Sequence, residues 1–315
     1  IMMDESKTCS GENNNWVELT QEAGRNEIVF NNFRKFDITK LIVDGYPSNT
    51  SVDYLLTLKK EQDIDIFIDI WESIDQFMSP DNSIFYKGKK LTPATGRHVV
   101  NVSNYINFFG KDILNKEVCE IGAGWGGEMV VFNKLKKNYF PLNDGKNYSI
   151  FDLTSSIALI KKFAAANKVE CNFRDVSNSK VVEYDLVISN GAFSEMGASL
   201  QEEYFEKIIS KSNNGYFITN FDTHSKKMGG WSTNEFVDRL NSADKKNIQV
   251  LDIEKCVSKF ESEAGNKLIV FGEVSMRGVR SRPVSSKILL LLLRVIDIIP
   301  RVTLKIKKIL INKVL

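Results

Sequence analysis

Near residue 120 the chain reads as a short apolar strand, then an acid, then glycines, then a helix: Glu120-Ile-Gly-Ala-Gly-Trp-Gly-Gly127. Glycines at 122, 124 and 127 let the backbone turn sharply and come close to a ligand with no Cβ in the way. The rest of the sequence keeps the same rhythm. Residues 117–121, 148–153, 169–173, 185–189 and 215–220 read as strands, and 248–253 and 267–274 as two more. Helices are expected over 128–137 and 155–167, and Ser199-Leu-Gln-Glu202 reads as a capping box opening another. Alternation of this length predicts an α/β fold: a Rossmann-like, seven-stranded, mainly parallel sheet covered on both faces.

Upstream the pattern is helical. Phe67, Ile70, Trp71, Ile74, Phe77 and Met78 recur at helical spacing until Pro80, and Val102, Tyr105, Ile106 and Phe109 form a second stripe. Residues 1–26 are polar and rich in Asn, Glu and Ser, and read as a loose segment. The expected organisation is therefore 1–26 loose, 27–112 a helical lobe on the acceptor side, 113–276 the Rossmann-like catalytic domain and 277–315 a tail. From Arg277 onward there are ten Lys/Arg and one acid, which leaves 32 basic and 39 acidic groups in residues 1–276. An acidic body with a basic tail argues against a nucleic-acid-binding core and for an anionic surface as the tail's partner.

The tail's six aliphatics at 288–293 are followed by Arg294 and Asp297. The apolar run falls well short of the about 20 residues a spanning helix needs. Beyond Pro300, Val302, Leu304, Ile306, Ile309 and Leu310 alternate with lysines. Residues 285–315 thus read as a basic amphipathic segment for the cytoplasmic face of a membrane, or equally for docking on the protein's own core, a partner protein or a second subunit. The four cysteines (Cys9, Cys119, Cys171, Cys256) are far apart and fit no zinc spacing, which points to buried thiols in the reducing cytoplasm.

Two cofactor classes use such a glycine loop. Gly122, Gly124 and Gly127 satisfy the dinucleotide pattern G-x-G-x-x-G, which would make the chain an NAD(P)-dependent oxidoreductase of a nucleotide-linked sugar. S-adenosylmethionine is favoured instead. A carboxylate at Glu120 would repel a pyrophosphate, and the first strand starts more than a hundred residues into the chain behind a helical lobe. No Tyr-x-x-x-Lys pair lies near the acceptor strand, which counts against the short-chain oxidoreductases. On this reading Glu120 lies near the amino-acid half of the cofactor, with Gly122, Gly124 and Trp125 forming the loop. Asp152, ending the second strand, faces the ribose hydroxyls, and Asp175, just past the third, lies beside adenine. A third reading makes the α/β unit a membrane-tethered assembly scaffold.

The fourth strand, ending in Ser189-Asn-Gly191, should face the transferred methyl, so Asn190 can hold the cofactor's ammonium or the acceptor. Glu195 follows directly. A hydroxyl acceptor needs a base, and His224, just after the fifth strand on the same sheet edge, is the candidate, with Glu195 as its orienter or as the base itself. Asp222 and His224 could contribute to a divalent metal site such as magnesium. Arg97 could hold an anionic group of the acceptor, and Tyr204 is a second candidate acceptor contact.

Together Thr92-Pro-Ala-Thr-Gly-Arg97, Cys119-Glu-Ile-Gly-Ala-Gly-Trp-Gly-Gly127, Ser189-Asn-Gly-Ala-Phe-Ser-Glu-Met196 and Gly215-Tyr-Phe-Ile-Thr-Asn220 resemble the sugar O-methyltransferases of bacterial surface-polysaccharide loci. The resemblance spans about residues 50–275 and excludes the tail. It implies cofactor contacts at Glu120, Gly122, Gly124 and Asp152, and a sugar hydroxyl of a surface glycan or its precursor as acceptor. Such glycans are assembled on lipid carriers at the inner face of the cytoplasmic membrane, which suits the tail.

Overall fold

The computed structural model describes residues 12–143, 147–177, 183–222 and 228–275. It opens with helices α1 (Glu12–Arg25), α2 (Glu27–Asn32), α3 (Asp37–Thr39), α4 (Thr50–Leu58) and α5 (Ile64–Asp75). A hairpin of β1 (Ile84–Tyr86) and β2 (Lys89–Leu91) leads into α6 (Pro93–Phe109). The α/β part runs β3 (Val118–Ile121), α7 (Gly127–Tyr139), β4 (Tyr148–Phe151), α8 (Thr154–Ala166), β5 (Asn172–Arg174) and β6 (Leu186–Asn190). It continues through α9 (Ala198–Lys207), β7 (Asn214–Thr219), α10 (Thr233–Ser242) and β8 (Gln249–Leu251). Two short helices, α11 (Ile253–Cys256) and α12 (Lys259–Glu263), precede β9 (Lys267–Phe271).

Seven strands form one sheet in the order β5-β4-β3-β6-β7-β9-β8. β3 pairs in parallel with β4 and β6, β4 with β5, and β6 with β7, whereas β9 runs antiparallel to both β7 and β8. The fold is the Rossmann-like α/β class expected. The order reverses at β3, so the ligand crevice of such a sheet opens at the carboxyl end of that strand. β3 and β4 are buried along their whole length, which is why they read as apolar runs apart from Glu120 and Ser149. Alternation along β3 sends Val118 into the core under α6 and α7 and Cys119 and Ile121 into the core under α9 and α10. Glu120 therefore turns toward α6 and α7.

Several boundaries differ from the sequence expectation. Residues 12–25 are not loose: they form α1, which packs along α8 and sets Trp16 edge-on to Phe33 at 5.7 Å. Residues 1–11 and the tail at 277–315 lie outside the described residues. Ser199 does not open a capping box, because α9 starts at Ala198 with Gly197 as N-cap and no side-chain cap bond. The capping box stands at Ser232 and Glu235, ahead of α10. β5 begins only at Asn172, since the Val169 amide still bonds back to the Ala164 carbonyl (3.1 Å) and Lys168 sits at φ +55°. Among the described residues no helix is long and apolar enough to cross a membrane.

The helical lobe is fixed by one buried cation. Arg34 forms a two-pronged pair with Asp44, Nε to Oδ2 at 2.7 Å and Nη2 to Oδ1 at 3.1 Å. Its Nη1 donates to Asp75 Oδ1 at 2.9 Å, and Nη2 donates to Thr92 Oγ1 at 2.7 Å. Burial works against the charge, but Asp44 and Asp75 outweigh it and raise the guanidinium's pKa further. Asp75 in turn accepts from the Thr92 amide and from the Thr92 and Thr95 hydroxyls, each at 2.6 Å. The start of α6 is thereby bound to the end of α5. Thr92-Pro-Ala-Thr-Gly-Arg97 has a structural reason at most positions. Pro93 takes the first helical turn, where its missing N–H costs nothing, and Trp71 Nε1 donates to the Thr92 carbonyl at 2.8 Å. Gly96 is required by packing, because a Cβ there would stand 2.3 Å from Trp71 Cζ2.

Arg34→Ala would strand two buried carboxylates, a change that costs about 3–5 kcal/mol where a buried pair loses one partner. Urea unfolding of the variant should show a loss of that order, and a loss below about 1 kcal/mol would contradict the role given to Arg34.

Candidate active site

The glycine loop leaves β3 at the switch point and is held by Asp152 from the end of β4. Asp152 Oδ2 accepts from the amides of Ala123 (2.7 Å) and Gly124 (3.2 Å), and Oδ1 accepts from Leu153 N (2.7 Å). Burial pushes its carboxyl up to about 6 despite these donors. Gly122, at φ +76°, allows the loop to meet the exit of β6: a Cβ there would lie 2.0 Å from Ala192 Cβ. That contact brings Asn190 and Gly191 beside the loop. Val43, from the π-helical turn Lys40–Asp44, lies above Gly124, its Cγ1 3.6 Å from where a Cβ would stand. Thus the helical lobe roofs the loop, and its Asp44 is the residue Arg34 holds.

Beneath the loop lies a buried polar network centred on Glu128, in the first turn of α7 and 1% exposed. Its Oε1 accepts from Asn101 Nδ2, with His98 Nδ1 3.8 Å away, and its Oε2 accepts from Asn190 Nδ2 and from the Tyr105 hydroxyl (3.1 Å). Burial raises the Glu128 carboxyl, but His98, Asn101 and the Arg97 charge outweigh it and hold it below the usual range. Glu120 is the opposite case. It is 2% exposed, and burial followed by the neighbouring Glu128 pushes its carboxyl well above the usual range. Tyr148 donates its hydroxyl to Glu120 Oε2 at 2.9 Å. Two acids side by side in a dry site oppose each other's ionisation, and the donors gathered around Glu128 favour its charged form more than the single tyrosine hydroxyl favours that of Glu120.

Asn190, half-buried at the end of β6, gives its amide nitrogen to Glu128 and to the Tyr105 oxygen (3.2 Å). Its Oδ1 is buried and has no partner within the described structure. Glu195, exposed in the 3-10 turn Ala192–Glu195, accepts from Asn220 Nδ2 at 3.0 Å. Ser194 joins the same corner, its hydroxyl donating to Asn220 Oδ1 at 2.7 Å while accepting from Asn220 N at 3.1 Å. Asp175 stands just beyond β5, half-buried, its Oδ1 accepting from Ser177 N at 2.9 Å. His224 lies outside the described residues.

Four of the expected site residues are placed differently. The Trp125 ring is 1% exposed and faces the lobe, edge-on to His98 and Phe163 at 5.0 Å each, with the Arg34 guanidinium 4.8 Å from its centroid. It holds the loop down from below and has no surface for a cofactor. Tyr204 is likewise 1% exposed, edge-on to Phe151 at 6.2 Å in the core under α9, so it cannot touch an acceptor. Arg97 is committed to Glu261, Nε to Oε1 at 2.7 Å, so a carboxylate of the chain stands where an anionic acceptor group was expected. Asp222 is paired with Lys267 at 2.5 Å and takes the Thr233 hydroxyl, so a cation of the chain already meets the carboxylate proposed for magnesium. Among the described residues no three His, Cys, Asp or Glu gather as metal ligands.

Sequence reading missed Glu128, Asn101, Tyr105 and Tyr148. A signal existed: an acid in the first turn after the glycines, with Asn101 and Tyr105 one turn apart on an otherwise apolar face.

Asp152 gives a pH test. An acid whose folded pKa lies above its ordinary value of 3.8 binds its proton more tightly when folded. Its contribution to stability is therefore greatest at low pH, falls as pH rises from about 4 through about 6, and is flat above. Asp152→Asn should lose that fall, seen as a wild-type-minus-variant stability difference that declines between pH 4 and 6.5. A difference constant over that window would contradict the buried carboxyl.

No family model matches the chain, and no curated protein matches it. Solved structures resemble it distantly. An O-methyltransferase family protein from Burkholderia thailandensis is 13% identical with a TM-score of 0.40, over 56% of this chain and 55% of that one. The chain thus matches little more than half the length of that protein. An O-methyltransferase family 2 protein from Planctomyces limnophilus, in complex with apigenin, is 10% identical over 84% and 94% of the two chains, with a TM-score of 0.40. The tRNA (uracil-54, C5)-methyltransferase of Pyrococcus abyssi, in complex with S-adenosyl-L-homocysteine, is 14% identical over 62% and 41%, with a TM-score of 0.34. Likenesses of this depth say nothing about the activity of this chain.

Proposed function

We propose that this chain is an S-adenosylmethionine-dependent O-methyltransferase whose acceptor is a sugar hydroxyl of a bacterial surface glycan or its precursor. The observation that carries the methyl-donor reading is the sheet edge β7-β9-β8 combined with the loop–Asp152 clasp. A dinucleotide fold continues in parallel order 3-2-1-4-5-6, whereas here an antiparallel strand, β9, is inserted between β7 and β8. That departure, with buried acids directly under the loop, disfavours the nicotinamide alternative, since a pyrophosphate gains nothing beside a carboxylate. The residues present fit the methyl donor: Asn190 Oδ1 is a buried acceptor lacking a donor, and an ammonium is such a donor.

When bound, S-adenosylmethionine supplies an electrophilic methyl group on a sulfonium. The chain's part is to place and deprotonate the acceptor. Asp152 offers its remaining lone pairs to the ribose hydroxyls, and Asp175 flanks the adenine end. His224 takes the proton of an incoming hydroxyl, with Glu195, exposed beside Gly191, as its orienter or as the base itself. The sugar acceptor is supported by the sequence resemblance around residues 189–196. The 285–315 tail, basic and amphipathic, would hold the enzyme at the inner membrane face where lipid-linked glycans are built.

Calorimetry should show S-adenosylhomocysteine binding to the wild type, abolished by Gly124→Val or Asp152→Ala. No binding by the wild type overturns the proposal. His224→Ala should remove methyl transfer and leave cofactor affinity nearly unchanged, so full activity in that variant would leave Glu195 as the base. Mass spectrometry of surface glycan from cells with and without the protein should differ by one methyl group, and identical spectra would remove the glycan as acceptor.

A further inference from the structure

The glycine loop and Asp152 account for the nucleoside end of a bound cofactor, and the buried acids beneath them have no role yet. Glu120 follows the loop's sequence logic, yet strand alternation turns it under α6 and α7, where it takes the Tyr148 hydroxyl. We infer that Glu128, acting through the Asn190 amide, supplies the counter-charge for the cofactor's α-ammonium, and that Glu120 does not. The inference rests on the methyl-donor reading above and specifies its amino-acid subsite.

Three observations carry it. The first is orientation. The Asn190 nitrogen meets two acceptors, Glu128 Oε2 and the Tyr105 oxygen, while the Tyr105 hydroxyl spends its own proton on the same carboxylate oxygen. Rotating the amide by half a turn would set its oxygen against a carboxylate, so the oxygen is held facing the other way. The second is an unmet acceptor: Asn190 Oδ1 is buried and unpartnered, at the strand end that Ala192 fastens to the glycine loop. An orphaned buried acceptor is destabilising, a loss that a bound N–H donor restores. The third is charge. Glu128 collects donors from Asn101, Tyr105 and Asn190, as a carboxylate does, whereas Glu120 sits beside it with one tyrosine hydroxyl. An amide bonded to a carboxylate is polarised, so its oxygen becomes a stronger acceptor for a cation.

The role is one of positioning, since Glu128 reaches the ligand through Asn190. It can be separated from a merely structural one by using two ligands. S-adenosylhomocysteine carries the ammonium, and 5′-methylthioadenosine shares its adenosine and sulfur but lacks the amino-acid arm. Calorimetry on the full chain should find that Glu128→Gln and Asn190→Ala each weaken S-adenosylhomocysteine by about ten- to a hundredfold, the range for a hydrogen bond to a charged group. Both variants should bind 5′-methylthioadenosine within about twofold of the wild type. Glu120→Gln, which keeps the side chain's shape and removes its ionisable group, should leave both affinities within about twofold. A damaged fold would weaken both ligands together, and equal losses for the two in Glu128→Gln would overturn the inference. So would a selective loss of S-adenosylhomocysteine in Glu120→Gln. Failure of the wild type to bind either ligand would instead overturn the methyl-donor reading itself.

Discussion

Arg34 sits at the point where four separate stretches of the chain converge. It pairs with Asp44 at the end of the π-helical turn, with Asp75 at the end of α5, with Thr92 and Thr95 at the start of α6, and lies over Trp125 of the glycine loop. A guanidinium suits this place because its donors are fixed in one plane and can serve two carboxylates at once, which an ammonium on a flexible stem cannot do with the same geometry. Buried ions are costly in themselves. What this one secures is mutual placement: the roof over the loop, the start of α6 and the underside of the loop all depend on the same side chain.

From that anchor the architecture of the site follows. Once α6 is fixed, His98, Asn101 and Tyr105 descend along one face of it toward Glu128, and Glu128 in turn holds Asn190 at the end of β6. The network joins the helical lobe to two elements of the α/β domain through charge-assisted hydrogen bonds, which in a dry interior are strong when complete and costly when broken. Here one oxygen, Asn190 Oδ1, is left incomplete. His98 Nδ1 in the same network and Trp125 Nε1 in the loop also lack hydrogen-bond partners among the described residues, so these unmet polar atoms gather around the glycine loop and α6.

Much of the framework was legible in the sequence because it is written in short-range pattern. The strands β3, β4, β6 and β7 are buried on both faces and therefore read as apolar runs, and the glycines at 122 and 124 mark a turn of positive φ. Where the pattern failed, a longer-range contact decided. Residues 12–25 look polar and loose in isolation, yet Trp16 and Ala23 are buried and the helix packs along α8. Ser199 has the right spacing for a cap, but the chain enters α9 earlier, at Gly197. Trp125 lies in the loop by sequence, and only the presence of Arg34, His98 and Phe163 beneath it draws the ring inward.

The sequence by itself determined the class of sheet and the position of the loop at its switch point, since each depends on residues near one another in the chain, whereas the clasp of the loop by Asp152 is a contact the tertiary structure made. The sequence could not decide which of two acids keeps its charge. Glu120 and Glu128 are both carboxyl groups close to the same glycines. Their difference comes from donors contributed by α6 and β6, tens of residues away in sequence, and from burial that only the packed lobe creates. The same holds for Arg97, which looks available until Glu261, far along the chain, comes to meet it. Local pattern sets what a backbone can do, but the charge of a buried group is a property of everything packed around it.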